Sequence, residues 1–235
     1  FAIGAEEYRR KLLYNDMVDV PIPRLLRIGE QELRKIQAAF KATASLIDPT
    51  QSPAELLAQL SQNHPHADQL VGETQAVLDS LRKFVTSHQL VTIPSFENPR
   101  VVETPSYLRV LTFASMDTPG PFEEVSTEAF YNVTLPEPDW TSEQKEQHLR
   151  FLNCYAIPGT SIHEVFPGHY TQSLWMRRAP GKVRRLIGCA TNAEGWAHYA
   201  EQMMLEEGYG EGDPKLLLFH LQAALLRCCR YLVGI

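Results

Sequence analysis

Three side chains able to bind a metal or move a proton, His163, Glu164 and His169, stand within seven residues. In the H-E-x-x-H arrangement of zinc peptidases, two histidines at i and i+4 leave one helix face. The glutamate beside the first then acts as general base on a metal-bound water. Here the histidines are six positions apart. At roughly 100° and 1.5 Å per residue, a regular helix sets them about 120° and 9 Å apart, too far to share one ion. Pro167 and Gly168 supply a remedy. Proline has no N–H to donate to the His163 carbonyl and its ring clashes there, while glycine tolerates whatever backbone follows. The spacing therefore predicts a bulge or kink over residues 164–168. The plainer alternative is an ordinary helix end, where Pro-Gly is a stop signal and the histidines are incidental.

A second stretch, residues 192–201, places Glu194, His198 and Glu201 on one helix face at i, i+4 and i+7. Glu194 follows His169 by 25 residues, room for a loop and a helix running back. His198 or Glu201 is also placed to hydrogen-bond a ligating histidine, and a partly exposed helix histidine is the plain alternative for His198. Together the two stretches resemble the signature of the bacterial family catalogued as domain of unknown function 885, H-E-x-x-P-G-H-H-x-Q followed by E-G-W-A-x-Y-x-E. The matches are His163, Glu164, Pro167, Gly168, His169 and Gln172, then Glu194, Gly195, Trp196, Ala197, Tyr199 and Glu201. Tyr170 departs from it, standing where the pattern has a second histidine. The resemblance is strong over residues 158–233, diffuse before that, and touches an upstream segment at residues 3–8.

That family is similar to the glutamate zincins, which include angiotensin-converting enzyme and thimet oligopeptidase. The resemblance implies a mainly α, zincin-like helical domain with a small β element lining a cleft. It further implies Zn²⁺ held by His163, His169 and Glu194 with an open fourth position, Glu164 as general base, and a peptide substrate. Tyr199 and Tyr231 are candidate oxyanion donors. Arg227 and Arg230 are candidates for gripping a substrate carboxylate, with structural ion pairing as the alternative. Two readings compete with the peptidase: another metal-dependent amidohydrolase, and a helical binding domain with a vestigial metal site.

The elements that must position these groups are mostly helical. Apolar positions recur at helical spacing over residues 5–16, 23–47 and 68–88. Ser52 with Glu55 forms a capping box that opens a short helix to about residue 62. Residues 1–90 thus read as a helical scaffold and 91–235 as the metal-site region of the same catalytic domain. His64, His66 and His88 read as solvated loop or helix-end residues. Between Leu90 and Trp140 prolines are frequent and residues 101–103 and 129–135 have strand composition. In glutamate zincins an extended edge pairs with substrate backbone, and 129–135 is the segment placed to be one, with a plain connecting sheet as the alternative. Thr141 and Gln144 open a further helix by a capping box, and Pro158-Gly159 is expected to separate it from the metal helix. Asn192 reads as the N-cap of a helix running to Gly208. The last helix opens at Asp213-Pro214 and is apolar from Leu216 to Val233. His220, Gln222, Arg227 and Arg230 interrupt it, which favours a buried core helix over a membrane span.

Bulk properties narrow the class. With 235 residues and 44% hydrophobic content the chain can bury a real core. Its 22 basic and 28 acidic residues leave a net charge of −6, which argues against a nucleic-acid binder. Cys154, Cys189, Cys228 and Cys229 show no C-x-x-C and read as small core residues. The chain begins at Phe1 without a methionine and is expected to be cut at both ends. Localisation is bounded only to a bacterial protein, cytoplasmic or exported.

Overall fold

The computed structural model describes residues 2–95 and 97–235, and in them ten helices surround one small sheet. Helix α1 (Ala5–Asp16) is followed by α2 (Ile22–Ile47), α3 (Pro53–Leu60) and α4 (Leu70–Ser87). The capping box of α3 forms as its sequence requires, the Glu55 N–H donating to Ser52 Oγ and the Ser52 N–H to Glu55 Oε2. Leu70, Thr74, Leu78, Leu81 and Val85 make one buried stripe along α4. That stripe packs on the sheet and on α6 (Ala156–Glu164).

Strands β1 (Arg100–Glu103), β2 (Ala114–Asp117) and β3 (Phe130–Val133) assemble in the order β1-β3-β2, with β1 parallel and β2 antiparallel to β3. This corrects the expectation for residues 129–135. Buried Tyr131, Asn132 and Val133 put β3 at the centre, bonded on both sides, so the edge strands are β1, whose residues 101–103 read as a strand, and β2. The short, mixed sequence of β2 has no alternating pattern long enough to declare a strand.

Helix α5 (Ser142–Phe151) starts at the Thr141 capping box, and buried His148 ties it to the residue just after β3 by a 2.6 Å bond to the Thr134 carbonyl. Pro158 and Gly159 lie inside α6 rather than before it. Proline is tolerated there because first-turn N–H groups have no helical partner. After α7 (His169–Met176) and the short α8 (Lys182–Leu186), α9 (Ala190–Glu206) starts two residues before the expected cap, with Cys189 rather than Asn192 at its N-cap.

Helix α10 (Pro214–Gly234) is opened by Asp213, whose carboxylate accepts the Lys215 N–H at 2.9 Å. It lies along α2 and buries Leu218, Phe219, Leu221 and Ala224. A Cβ on Gly29 of α2 would meet Tyr231 and Leu232 of α10 at 2.7 Å, which shows how closely the two helices approach. By length and composition α10 could cross a membrane; it packs along α2, but only 22% of its apolar window is buried, so it is not the buried core helix expected. The four cysteines are free; three are half-buried and Cys229 is exposed, so they are not the core residues expected. His64 is likewise not simply solvated, since its Nε2 faces Glu146 Oε1 at 3.2 Å.

Candidate metal centre

The site begins where α6 stops. The Val165 and Phe166 side chains are fully buried and anchor the break in the core. The Gly168 N–H turns back to the Ile162 carbonyl at 3.0 Å, and α7 starts at His169 in a new direction. A Cβ on residue 168 would lie 1.8 Å from the His163 carbonyl oxygen, so only glycine fits. The expected kink is therefore a complete break into two helices. Its effect is the one the chemistry needs: the rings of His163 and His169 stand 4.7 Å apart at 85°.

Glu194 of α9 completes the group. Its carboxylate reaches His163 Nε2 at 3.4 Å and His169 Nε2 at 3.5 Å. One donor atom from each of the three residues lies within 4.8 Å of the others. Ligands about 2.0–2.1 Å from a tetrahedral zinc are roughly 3.4 Å from one another, close to the two separations from Glu194, so the three residues could hold such an ion. Burial, and then the neighbouring His163, lower the His169 pKa, which favours the neutral imidazole that a metal requires.

Behind His163 stands Glu201. Seven residues on from Glu194, it shares that face of α9, so the two glutamates bracket one imidazole. His163 Nδ1 lies 2.7 Å from Glu201 Oε1, and a proton assigned to Nδ1 leaves the Nε2 lone pair facing Glu194. Ala197 and Ala200, both fully buried, let α9 come close enough for this. Arg227 of α10 grips Glu201 with two bonds, 2.8 and 3.0 Å, and His220 Nδ1 lies 3.3 Å away. Burial alone would raise the Glu201 carboxyl, but His163, His198, His220 and Arg227 hold it well below the usual carboxylate range.

Glu164 is positioned differently. Its Oε2 accepts the Met116 N–H of β2 at 3.1 Å, while among the described residues Oε1 has no hydrogen-bond partner. Burial pushes its carboxyl up to about 7, against His163 and the Met116 N–H, which favour the ionised form. A cleft of about 860 Å³ runs along α6, with Leu57, Phe151, Tyr155, Phe219 and Leu226 in its walls beside His163, Glu164 and Arg227.

The remaining candidates divide. Arg227 is paired with Glu201, the structural role that is its alternative, while Arg230 is exposed and outside the cluster. His198 sits 3.3 Å from Arg227 Nη1 and 3.8 Å from Glu201, so the residue that supports His163 directly is Glu201. Tyr199 is exposed beside Trp196, and the Tyr231 hydroxyl donates to the Leu25 carbonyl on α2, away from the metal residues. Tyr170 is buried against Phe166.

Sequence reading left several contributors without a role. Trp196 Nε1 donates to the Pro167 carbonyl at 2.9 Å and Gln172 to Asn192 at 3.0 Å, so both lace α9 to the broken helix. His220 had a signal, since it shares the Arg227 face of α10 at i and i+7. The backbone N–H of Met116 had none.

Comparison with known proteins gives the same fold. The chain matches the family described as "Bacterial protein of unknown function (DUF885)" over residues 1–235. Its structure superposes on a protein from Shewanella oneidensis described as a candidate lipoprotein of unknown function, with a TM-score of 0.87 and 29% identity, over 98% of this chain and 43% of that one. A candidate lipoprotein from Colwellia psychrerythraea matches with a TM-score of 0.78 and 19% identity, over 97% of this chain and 38% of that one. The chain thus spans less than half the length of either structure. No curated protein matches it.

Proposed function

We propose that this chain, which belongs to the bacterial DUF885 family, is the metal-site region of a zinc-dependent hydrolase that cleaves peptides. The observation that carries the reading is the convergence of His163, His169 and Glu194 within 4.8 Å, with a further carboxylate, Glu164, beside the first histidine. Zinc held by those three residues would polarise a carbonyl and acidify a water at its open position.

The chain's own groups supply the rest. Glu164 accepts the water's proton at Oε1 and returns it to the leaving amine. Glu201, fixed by Arg227, holds the His163 ring and its tautomer. The Met116 N–H of β2 is held by Glu164, which brings the backbone of that strand to the site. The apolar cleft beside Glu164 suits an apolar substrate side chain. The kinship with chains described as candidate lipoproteins supports an exported protein.

The test uses the longest native protein. One zinc per chain is expected, lost in His163→Ala, His169→Ala and Glu194→Ala, with affinity only 10- to 100-fold weaker in Glu201→Ala. Glu164→Gln should keep its zinc while digestion of a peptide library falls by a factor on the order of 10² to 10⁴. Digestion unaffected by a chelator would refute the metallopeptidase, and so would metal content near zero after zinc dialysis.

A further inference from the structure

Basic charge is distributed unevenly along this acidic chain. Five of its 22 lysines and arginines, Arg177, Arg178, Lys182, Arg184 and Arg185, fall within nine residues, and no aspartate or glutamate stands between Glu164 and Glu194. Two of the five are committed to backbone: Arg177 donates to the Glu123 carbonyl and Arg185 Nε to the Ala179 carbonyl at 2.6 Å. Arg178, Lys182 and Arg184 are exposed. Among them α8 presents Val183 and Leu186 at i and i+3, and Ile187 follows as its extended C-cap, with exposures of 74%, 63% and 66%. Single exposed aliphatics are ordinary, but three within five residues flanked by cations form an amphipathic surface.

The chemistry of the occupant follows from that pairing. An acidic peptide would answer the cations and leave the aliphatics in water, as would a phosphate backbone. An anionic bilayer answers both, because phosphate headgroups meet the cations while the aliphatic side chains enter the boundary beneath them. The acidic remainder of the chain does not cancel this attraction, since charges beyond about 8 Å are largely screened at physiological salt. We propose that the segment from Arg177 to Ile187 is a peripheral docking surface for an anionic lipid membrane. It follows His169 by a single eight-residue helix, α7, so docking would hold the metal centre near the membrane surface. This inference does not rest on the peptidase reading.

The test is sedimentation of the full chain with phosphatidylcholine vesicles, with and without phosphatidylglycerol. Binding is expected only with phosphatidylglycerol, weakening steeply with salt. At about 1 kcal/mol per cation, the triple variant Arg178→Glu, Lys182→Glu, Arg184→Glu should lose at least a hundredfold in partition coefficient. Leu186→Trp should shift its emission to the blue on the same vesicles, which reads insertion without altering the charges. Absence of binding at low salt, binding that survives charge reversal, or a Leu186→Trp emission that does not move would each overturn the proposal. Retention on an immobilised polyglutamate but not on vesicles would identify an acidic-peptide surface instead.

Discussion

One imbalance at the residue scale is directly measurable. Glu164 and Glu201 are buried carboxyls in one site, yet their environments push them in opposite directions. Glu201 has histidines and Arg227 around it, whereas burial dominates at Glu164. In the metal-free protein the folded state therefore holds the Glu164 proton more tightly than the unfolded chain does. The resulting stability is fully present below 4.5 and lost as pH rises through about 7. At about 1.4 kcal/mol per pH unit, that loss is roughly 3 kcal/mol. Glu164→Gln has no such loss, so urea unfolding of metal-free samples should find it more stable than the wild type above pH 7, with the gap closing toward pH 4.5. Parallel stability curves across that range would contradict the burial of Glu164.

At the element scale the decisive feature is the break between α6 and α7, and it rests on one hydrogen atom where any other residue has a Cβ. Gly168→Ala would force that carbon into the His163 and Ile162 carbonyls. The expected cost is on the order of 3 kcal/mol or more, with zinc binding lost because both histidines flank the break. Gly159 of the same α6 is the control. A Cβ there meets nothing within 4 Å, so Gly159→Ala should be neutral or stabilise by about 0.4–1 kcal/mol. Equal unfolding midpoints and zinc affinities for the two variants would show that the break does not depend on Gly168.

At the scale of the whole molecule, a boundary near residue 90 does not separate two cores. Leu70, Leu78, Leu81 and Val85 of α4 share one cluster with Val101, Tyr131, Ile162, Phe166 and Met204. A fragment of residues 91–235 would leave that face of the sheet and of α6 in water. It should therefore bind a hydrophobic dye and unfold without a cooperative transition, as loosely packed states do. A cooperative thermal transition in that fragment would show that α4 is dispensable to the core.

The local elements were legible because their causes are local. The capping boxes at Ser52 and Thr141, the apolar stripes of α2 and α4, and the Asp213 cap are interactions within a few residues of sequence, and each formed as read. Three of the residues around which the site converges were legible too, since His163, Glu164 and His169 carry rare chemistry in a tight pattern, while Glu194 came only with the family resemblance. What lay outside the sequence was decided by partners distant along the chain. Which strands became edges depended on β3 inserting between β1 and β2. Arg227 turned from substrate candidate to clamp because α10 carried it to Glu201, 26 residues away in sequence. The proton on Glu164 is governed by burial and by a backbone N–H 48 residues earlier. Residue types announce what a side chain can do, but only its packed neighbours set which charge, tautomer and partner it has.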